Sequence, residues 1–271
     1  MTKILKWPLT DKTIDHLWSH PKQFASEYGK AIRENRRDNA AELALTFGQM
    51  FCETGAARVA LDILMYYLKK WEDTADEHTG EIMSLAGNAA GHLGDHALAE
   101  RLLQHLVQLA SANDWLSLHR RALQTLGVLR HDQGRLQERD RLYRDAMQIA
   151  EQSRDRLGEA QLYNNMGAAA LDAGSMKEGE RLIRKSIYIK DQLGCELDAA
   201  RSRVTLGGHL ARQRRFGAAT KLLVVASRVG VKYHDHQLLA TVIYNRGMMA
   251  IDTGRIQKAP ALLKVALQRA T

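Results

Sequence analysis

Apolar and small side chains recur along this chain at helical spacing within segments and at a spacing of about 40 residues between them. Large positions stand at Leu64, Leu103, Tyr143, Ile183, Leu223 and Leu263. Four residues ahead of each comes a small one, at Ala60, Ala99, Gly179, Ala219 and Ala259, with Arg139 the one departure. A further row, Tyr67, Leu106, Ala146, Ser186, Ala226 and Ala266, follows three residues behind the large positions and is small in four of six cases. Alternation of small and large residues on one helical face is what interlocking helices require, so these segments predict a recurring helix, helix B.

A ladder of glycines runs ahead of helix B, at Gly48, Gly87, Gly127, Gly167, Gly207 and Gly247. Inside a helix each costs roughly 1 kcal/mol relative to alanine. A fixed register therefore implies a neighbouring backbone too close for a Cβ, and the segment carrying it predicts a helix A. Seven residues later stands a second ladder, Gly55, Gly94, Gly134, Gly174 and Gly254, with Arg214 in the fifth register. Glycine best adopts the left-handed conformation that closes a helix C-terminus. Each unit reads as helix A, a tight turn, then helix B, and the fold class is all-α.

Leu126-Gly127, Met166-Gly167 and Leu206-Gly207 in helix A, followed by the small residues of helix B, resemble the tetratricopeptide repeat family over residues 41–271. The unit is longer than that family's 34-residue form, and the family's proline after helix B is absent, with Glu72, Ser111, Glu151, Asp191 and Val231 in its place. The likeness is to the 40-residue class of LGN-type polarity scaffolds, kinesin light chains and Rap-type peptide receptors. It implies a right-handed superhelix of antiparallel helix pairs, ~60 Å long at about 10 Å per unit, forming one continuous domain of six repeats behind an N-terminal helical cap at residues 1–40. Within that cap Thr10 or Asp11 opens a short helix to about His20, and Pro21 a second one carrying Phe24, Tyr28 and Ile32.

Composition is that of an ordinary soluble chain, 45% hydrophobic and 26% charged. The first 20 residues lack a long apolar run, which argues against a signal peptide or membrane span and for a cytoplasmic location. Cys52 and Cys195 are expected to be free thiols. No phosphate loop, Gly-x-Ser-x-Gly or His-Glu-x-x-His motif occurs. His16 with His20, and His234-Asp235-His236, fall short of the converging set a metal needs. The chain is expected to be no enzyme, to hold no cofactor or metal and to have no catalytic residue.

Charge adds one feature. The net charge is +8, and residues 200–234 alone hold Arg201, Arg203, Arg212, Arg214, Arg215, Lys221, Arg228 and Lys232 with no Asp or Glu. Such a repeat attracts anions, unless the cations only solvate its outer face. The resemblance places helix A on the concave side. There the lining is expected to be Arg121, Gln124, Val128 and Asp132; Gln161, Asn164, Ala168 and Asp172; Arg201, Val204, Gly208 and Arg212; and Thr241, Tyr244, Met248 and Asp252, with Arg214 and Arg215 as a basic rim. Amides there pair with a peptide backbone, since they both donate and accept. The reading is a non-enzymatic scaffold binding a peptide segment or acidic partner in its groove. The alternatives are a peptide-sensing regulator whose superhelix changes on binding and, more weakly, a nucleic-acid-binding solenoid, for which 6% aromatics leave few stacking platforms. The apolar C-terminal helix, about Gln257 to Ala270, is expected to pack on a second copy or a partner, or else to be followed by more chain.

Overall fold

The computed structural model describes residues 21–254 apart from positions 54 and 73. Among them are twelve helices and no strand. In order they are α1 (Pro21–Arg33), α2 (Arg37–Glu53), α3 (Ala57–Lys70), α4 (Glu77–His92), α5 (His96–Ala112), α6 (Leu116–Asp132), α7 (Leu136–Gln152), α8 (Arg156–Asp172), α9 (Met176–Gln192), α10 (Glu196–Arg212), α11 (Phe216–Lys232) and α12 (His236–Asp252). From α5 on, each helix has 17 residues, so helix, three-residue turn, helix and turn make the 40-residue unit. The architecture is an all-α helical repeat. Its helices fall into two compact units that divide between Leu118 and His119.

In the first unit α1 lays Phe24, Tyr28 and Ile32, all buried, against the first repeat. The Phe24 and Phe47 rings lie 4.3 Å apart, and the Tyr28 hydroxyl donates to the Ile63 carbonyl at 3.0 Å. The helix expected from Pro21 is thus found; helix A of the first repeat begins at Arg37, inside the segment read as cap. The His16–His20 pair and the C-terminal helix lie outside the described residues.

In the second unit α8 pairs with α9 and α10 with α11, while α10 also packs against α8 and α12. Leu171, Ile183, Leu206, Leu210 and Ala219 form one buried cluster, and Ala200, Val204, Leu223, Ala226, Leu238 and Val242 the next. The first glycine ladder stands at the A/B crossings. A Cβ on Gly167 would lie 2.6 Å from Ile183 Cγ1 and 2.9 Å from the Gly179 carbonyl oxygen; one on Gly127 would overlap the Tyr143 ring. The second ladder is left-handed throughout, from Gly134 at φ 73° to Gly55 at 85°, and Arg214 takes the same conformation at φ 59°. The turns from helix B to the next helix A use it too, at Asn35, Asp114, Arg154, Gly194 and His234. Both turn types close alike: Arg135 N–H donates to the Arg130 carbonyl and Asp155 N–H to the Ala150 carbonyl, each at 2.8 Å.

Candidate functional site

The A-helix face of the second unit is built from the side chains of α6, α8, α10 and α12 that point away from their B helices. Asp155 starts it. Its Oδ1 accepts from Gly158 N–H at 2.8 Å and caps α8, and its Oδ2 lies 2.8 Å from Arg120 Nε of α6. Burial pulls the Arg120 guanidinium below the usual arginine range, and Asp155 opposes that shift. A Cβ on Gly158 would stand 2.5 Å from Arg120 Nε, so glycine at this position makes room for the ion pair. From there Arg120 Nη1 donates to Gln124 Oε1 at 2.6 Å and to Gln161 Oε1 at 3.4 Å.

Gln124 and Gln161 are thus half-buried and oriented by an arginine that sequence reasoning passed over. Further along α8, Asn164 Nδ2 reaches Asn165 Oδ1 at 3.5 Å, while Asn164 Oδ1 is buried and accepts from no described residue. On α12, Asn245 Nδ2 donates to the Thr241 carbonyl at 3.0 Å, and Asn245 Oδ1 would lie 3.0 Å from a Cβ on Gly208 of α10. Arg121 is half-buried; Tyr244 and Met248 are exposed, as are Asp132 and Asp252 at the C-terminal ends of their helices. Val204 differs from expectation. It is 6% exposed within the core cluster of α10, α11 and α12, because its register turns it toward α11 and α12 rather than to the open face.

The C-terminal ends of α6, α8 and α10 meet at Asp172. His131 Nε2 approaches it at 3.5 Å, Arg212 Nη2 at 3.7 Å and His209 Nδ1 at 3.9 Å. Cations suit the negative ends of helices. Behind His131, Arg139 Nη1 stands 3.0 Å from Nδ1. Burial, helped by Arg212 against the ring, holds the His209 imidazole below its ordinary pKa.

Ion pairing changes the picture of the fifth repeat. Arg201 binds Asp235 at 3.0 Å, Arg203 binds Asp191 at 2.6 Å, Arg212 faces Asp172, Arg215 binds Glu180 at 2.6 Å and Lys232 binds Glu196 at 2.6 Å. Each carboxylate lies outside residues 200–234. Five of the eight cations are therefore compensated by flanking segments; Arg214, Lys221 and Arg228 make no ion pair among the described residues. The His234-Asp235-His236 run is likewise structural: His234 takes φ 53° in the turn and Asp235 caps α12 by accepting from Leu238 N–H at 2.8 Å.

Between α9 and α10 lies a group that the sequence did not single out. Lys190, 4% exposed, donates to Ser202 Oγ at 2.8 Å, with Ser186 Oγ 3.4 Å from the same oxygen. Burial lowers its pKa to about 8. Neither Cys52 nor Cys195 is in a disulfide. Among the described residues no three His, Cys, Asp or Glu side chains are grouped to hold a metal ion, and no helix is long and apolar enough to cross a membrane.

Solved structures share this fold at low identity. A Rap protein complexed with competence and sporulation factor superposes with a TM-score of 0.74 at 12% identity, over 84% of this chain and 64% of that one. The Rap conjugation gene regulator of plasmid pLS20, in complex with the Phr* peptide, gives 0.69 at 14% identity over 87% of this chain and 75% of that one. BtubC (BKLC) from P. vanneervenii gives 0.57 at 17% identity over 80% and 89%. No family model matches the chain, and no curated protein matches it in sequence.

Proposed function

We propose that the chain is a non-enzymatic binding scaffold of the 40-residue tetratricopeptide class, whose A-helix face holds an extended segment of a protein partner. The observation that carries this is the amide row on α6 and α8, and above all Asn164 Oδ1, an acceptor withdrawn from water with no described donor. Leaving such an atom unpaired costs roughly 1–3 kcal/mol, and a turn of the amide that brings this oxygen to the open face lets a peptide N–H of a ligand remove that cost. Two fold neighbours are complexes, one with competence and sporulation factor and one with the Phr* peptide, which supports the same reading. Acidity of the partner rests on Arg201 and Arg212, whose carboxylate partners a ligand would replace. The test is capture of partners on the full chain, followed by titration calorimetry of tiled peptides from them. Asn164→Ala and Asn165→Ala should each weaken the best peptide about tenfold, or roughly 1.4 kcal/mol. Unchanged affinity in both would remove the groove as the binding surface.

A regulatory reading has its own support. Arg201 holds the carboxylate that caps α12, at 3.0 Å, so a ligand carboxylate that takes Arg201 also frees that helix start. Faster amide exchange in the first turn of α12 on binding would favour this reading; slower exchange would favour a passive scaffold.

A further inference from the structure

Positive charge is concentrated at one end of the sequence. Residues 199–271 hold thirteen Lys and Arg against two Asp and no Glu, a net +11, while the whole chain carries +8, which leaves −3 for residues 1–198. Within that segment α11 has no acidic residue, and its outward face differs from that of its neighbours. Lys221 and Arg228, two turns apart, run down the middle of that face. Val224 and Val231, 37% and 60% exposed, lie along one side, and Val225, 40% exposed, lies along the other. Lone exposed valines are ordinary; three beside two uncompensated cations form a surface with a chemical preference.

The neighbouring B helices carry carboxylates that pair arginines of the same helix. On α9 Arg181 binds Glu178 and Arg184 binds Glu180 within the helix, at 2.7 and 2.6 Å, and on α7 Arg141 faces Asp145 at 3.9 Å. Lys221 and Arg228 make no ion pair among the described residues, and residues 253–271 contain no Asp or Glu to supply one.

We propose that the outward face of α11 docks an acidic amphipathic segment of a partner protein, whose apolar stripe covers the three valines and whose carboxylates meet Lys221 and Arg228. The face lies on a B helix, away from the A-helix face of α10 and α12, and the proposal stands whether or not that face binds a peptide. Nucleic acid would use the cations and leave the valines without a partner. A second copy fits poorly, since the carboxylates on the outward faces of α7 and α9 named above already serve their own arginines.

The probe is a fluorescent 21-residue helical peptide with leucine at its heptad core positions and glutamate flanking them, titrated by anisotropy against the full chain. The expected result is saturable binding that weakens at least about tenfold in Lys221→Gln/Arg228→Gln. Val224→Ser/Val231→Ser, which alters no charge, should weaken it about fivefold or more, and Arg141→Gln/Arg144→Gln on α7 should leave it unchanged. Circular dichroism on each variant separates misfolding from lost contact; if a double variant fails to fold, its two single substitutions are compared instead. No saturable binding, or full affinity in the valine pair, overturns the proposal. Tighter binding of a DNA duplex that is lost in the glutamine pair also overturns it, in favour of a phosphate-binding surface. Self-association that vanishes in the valine pair reassigns the face to a second copy.

Discussion

In the fourth repeat two glycines face each other across the helix pair; in the fifth there is one. Gly167 of α8 and Gly179 of α9 bring backbone against backbone, since a Cβ on Gly179 would meet the Gly167 carbonyl oxygen at 2.6 Å. At the same register of α10 and α11, a Cβ on Gly207 would meet Leu223 Cδ2 at 3.1 Å and the Ala219 carbonyl oxygen only at 3.6 Å. One crossing is set by atoms that cannot turn aside. The other is set by the end of a leucine side chain, which can. The repeats also differ at the joint that follows. After repeat four lies the polar group Lys190, Ser186 and Ser202; 40 residues on, Gly230, Ala226 and Val242 fill the same register with apolar core. The same pattern of helices thus accommodates both a close backbone contact and a buried amine.

Substitution at the two A-helix glycines should have the largest effect. Gly167→Leu should destabilise by roughly 3 kcal/mol or more through overpacking against backbone, and Gly207→Leu by clearly less, as Leu223 moves. Denaturant midpoints at constant slope read the difference; equal losses would mean that both crossings are set by the same kind of contact.

Next in size is Lys190. An unfolded lysine titrates near 10.5 and the buried one near 8. Between those values the unfolded chain holds a proton that the folded chain has released, so stability rises as pH climbs through the window, and the full penalty applies below it. Lys190→Met should therefore be neutral to stabilising by up to roughly 3 kcal/mol at pH 7. The gain should fade toward pH 10.5. A stability difference that stays flat from pH 7 to 10.5 would show that the amine is not desolvated.

The smallest effect lies in the turns. Gly174 and Arg214 occupy one register with φ 81° and 59°. Side chains in that conformation cost about 1–2 kcal/mol, so Arg214→Gly should stabilise by roughly 1 kcal/mol and Gly174→Arg should do the reverse. Calorimetric melting decides it, and a lower melting temperature for Arg214→Gly would show that the arginine side chain is a contact worth more than the strain.

These cases also show what the sequence could tell. Close helix crossings and left-handed helix ends both select glycine, so the repeat length, the helix order and the first set of turns were readable from two ladders. The second set of turns uses the same backbone conformation but seats Asn35, Asp114, Arg154, Gly194 and His234 there, and a row with a single glycine leaves no ladder. Arg139 stood out as a break in the small-residue row, yet its cause, a contact with His131 where the next repeat has Leu171 packed on Gly179, needs both helices in place. At the candidate face, residue types on helix A were legible but their partners were not. Whether Arg201 or Arg212 is free depends on carboxylates 34 and 40 residues away.

The paired arginines and capping aspartates bear on how the repeats come apart. Arg37 with Asp76, Arg120 with Asp155 and Arg201 with Asp235 each join one helix A to the start of the next. At the corresponding starts between them the chain has Trp115 and Cys195 in place of a carboxylate. A helix whose first turn is capped by a side chain that the preceding helix holds in position loses that cap when the preceding repeat opens. Helices that begin at Trp115 or Cys195 carry no such dependence. In nearest-neighbour terms the coupling constant alternates along the second unit, from Asp155 through Cys195 to Asp235. Opening should then advance two repeats at a time, with native-state exchange protection falling in blocks of about 80 residues rather than in steps of 40.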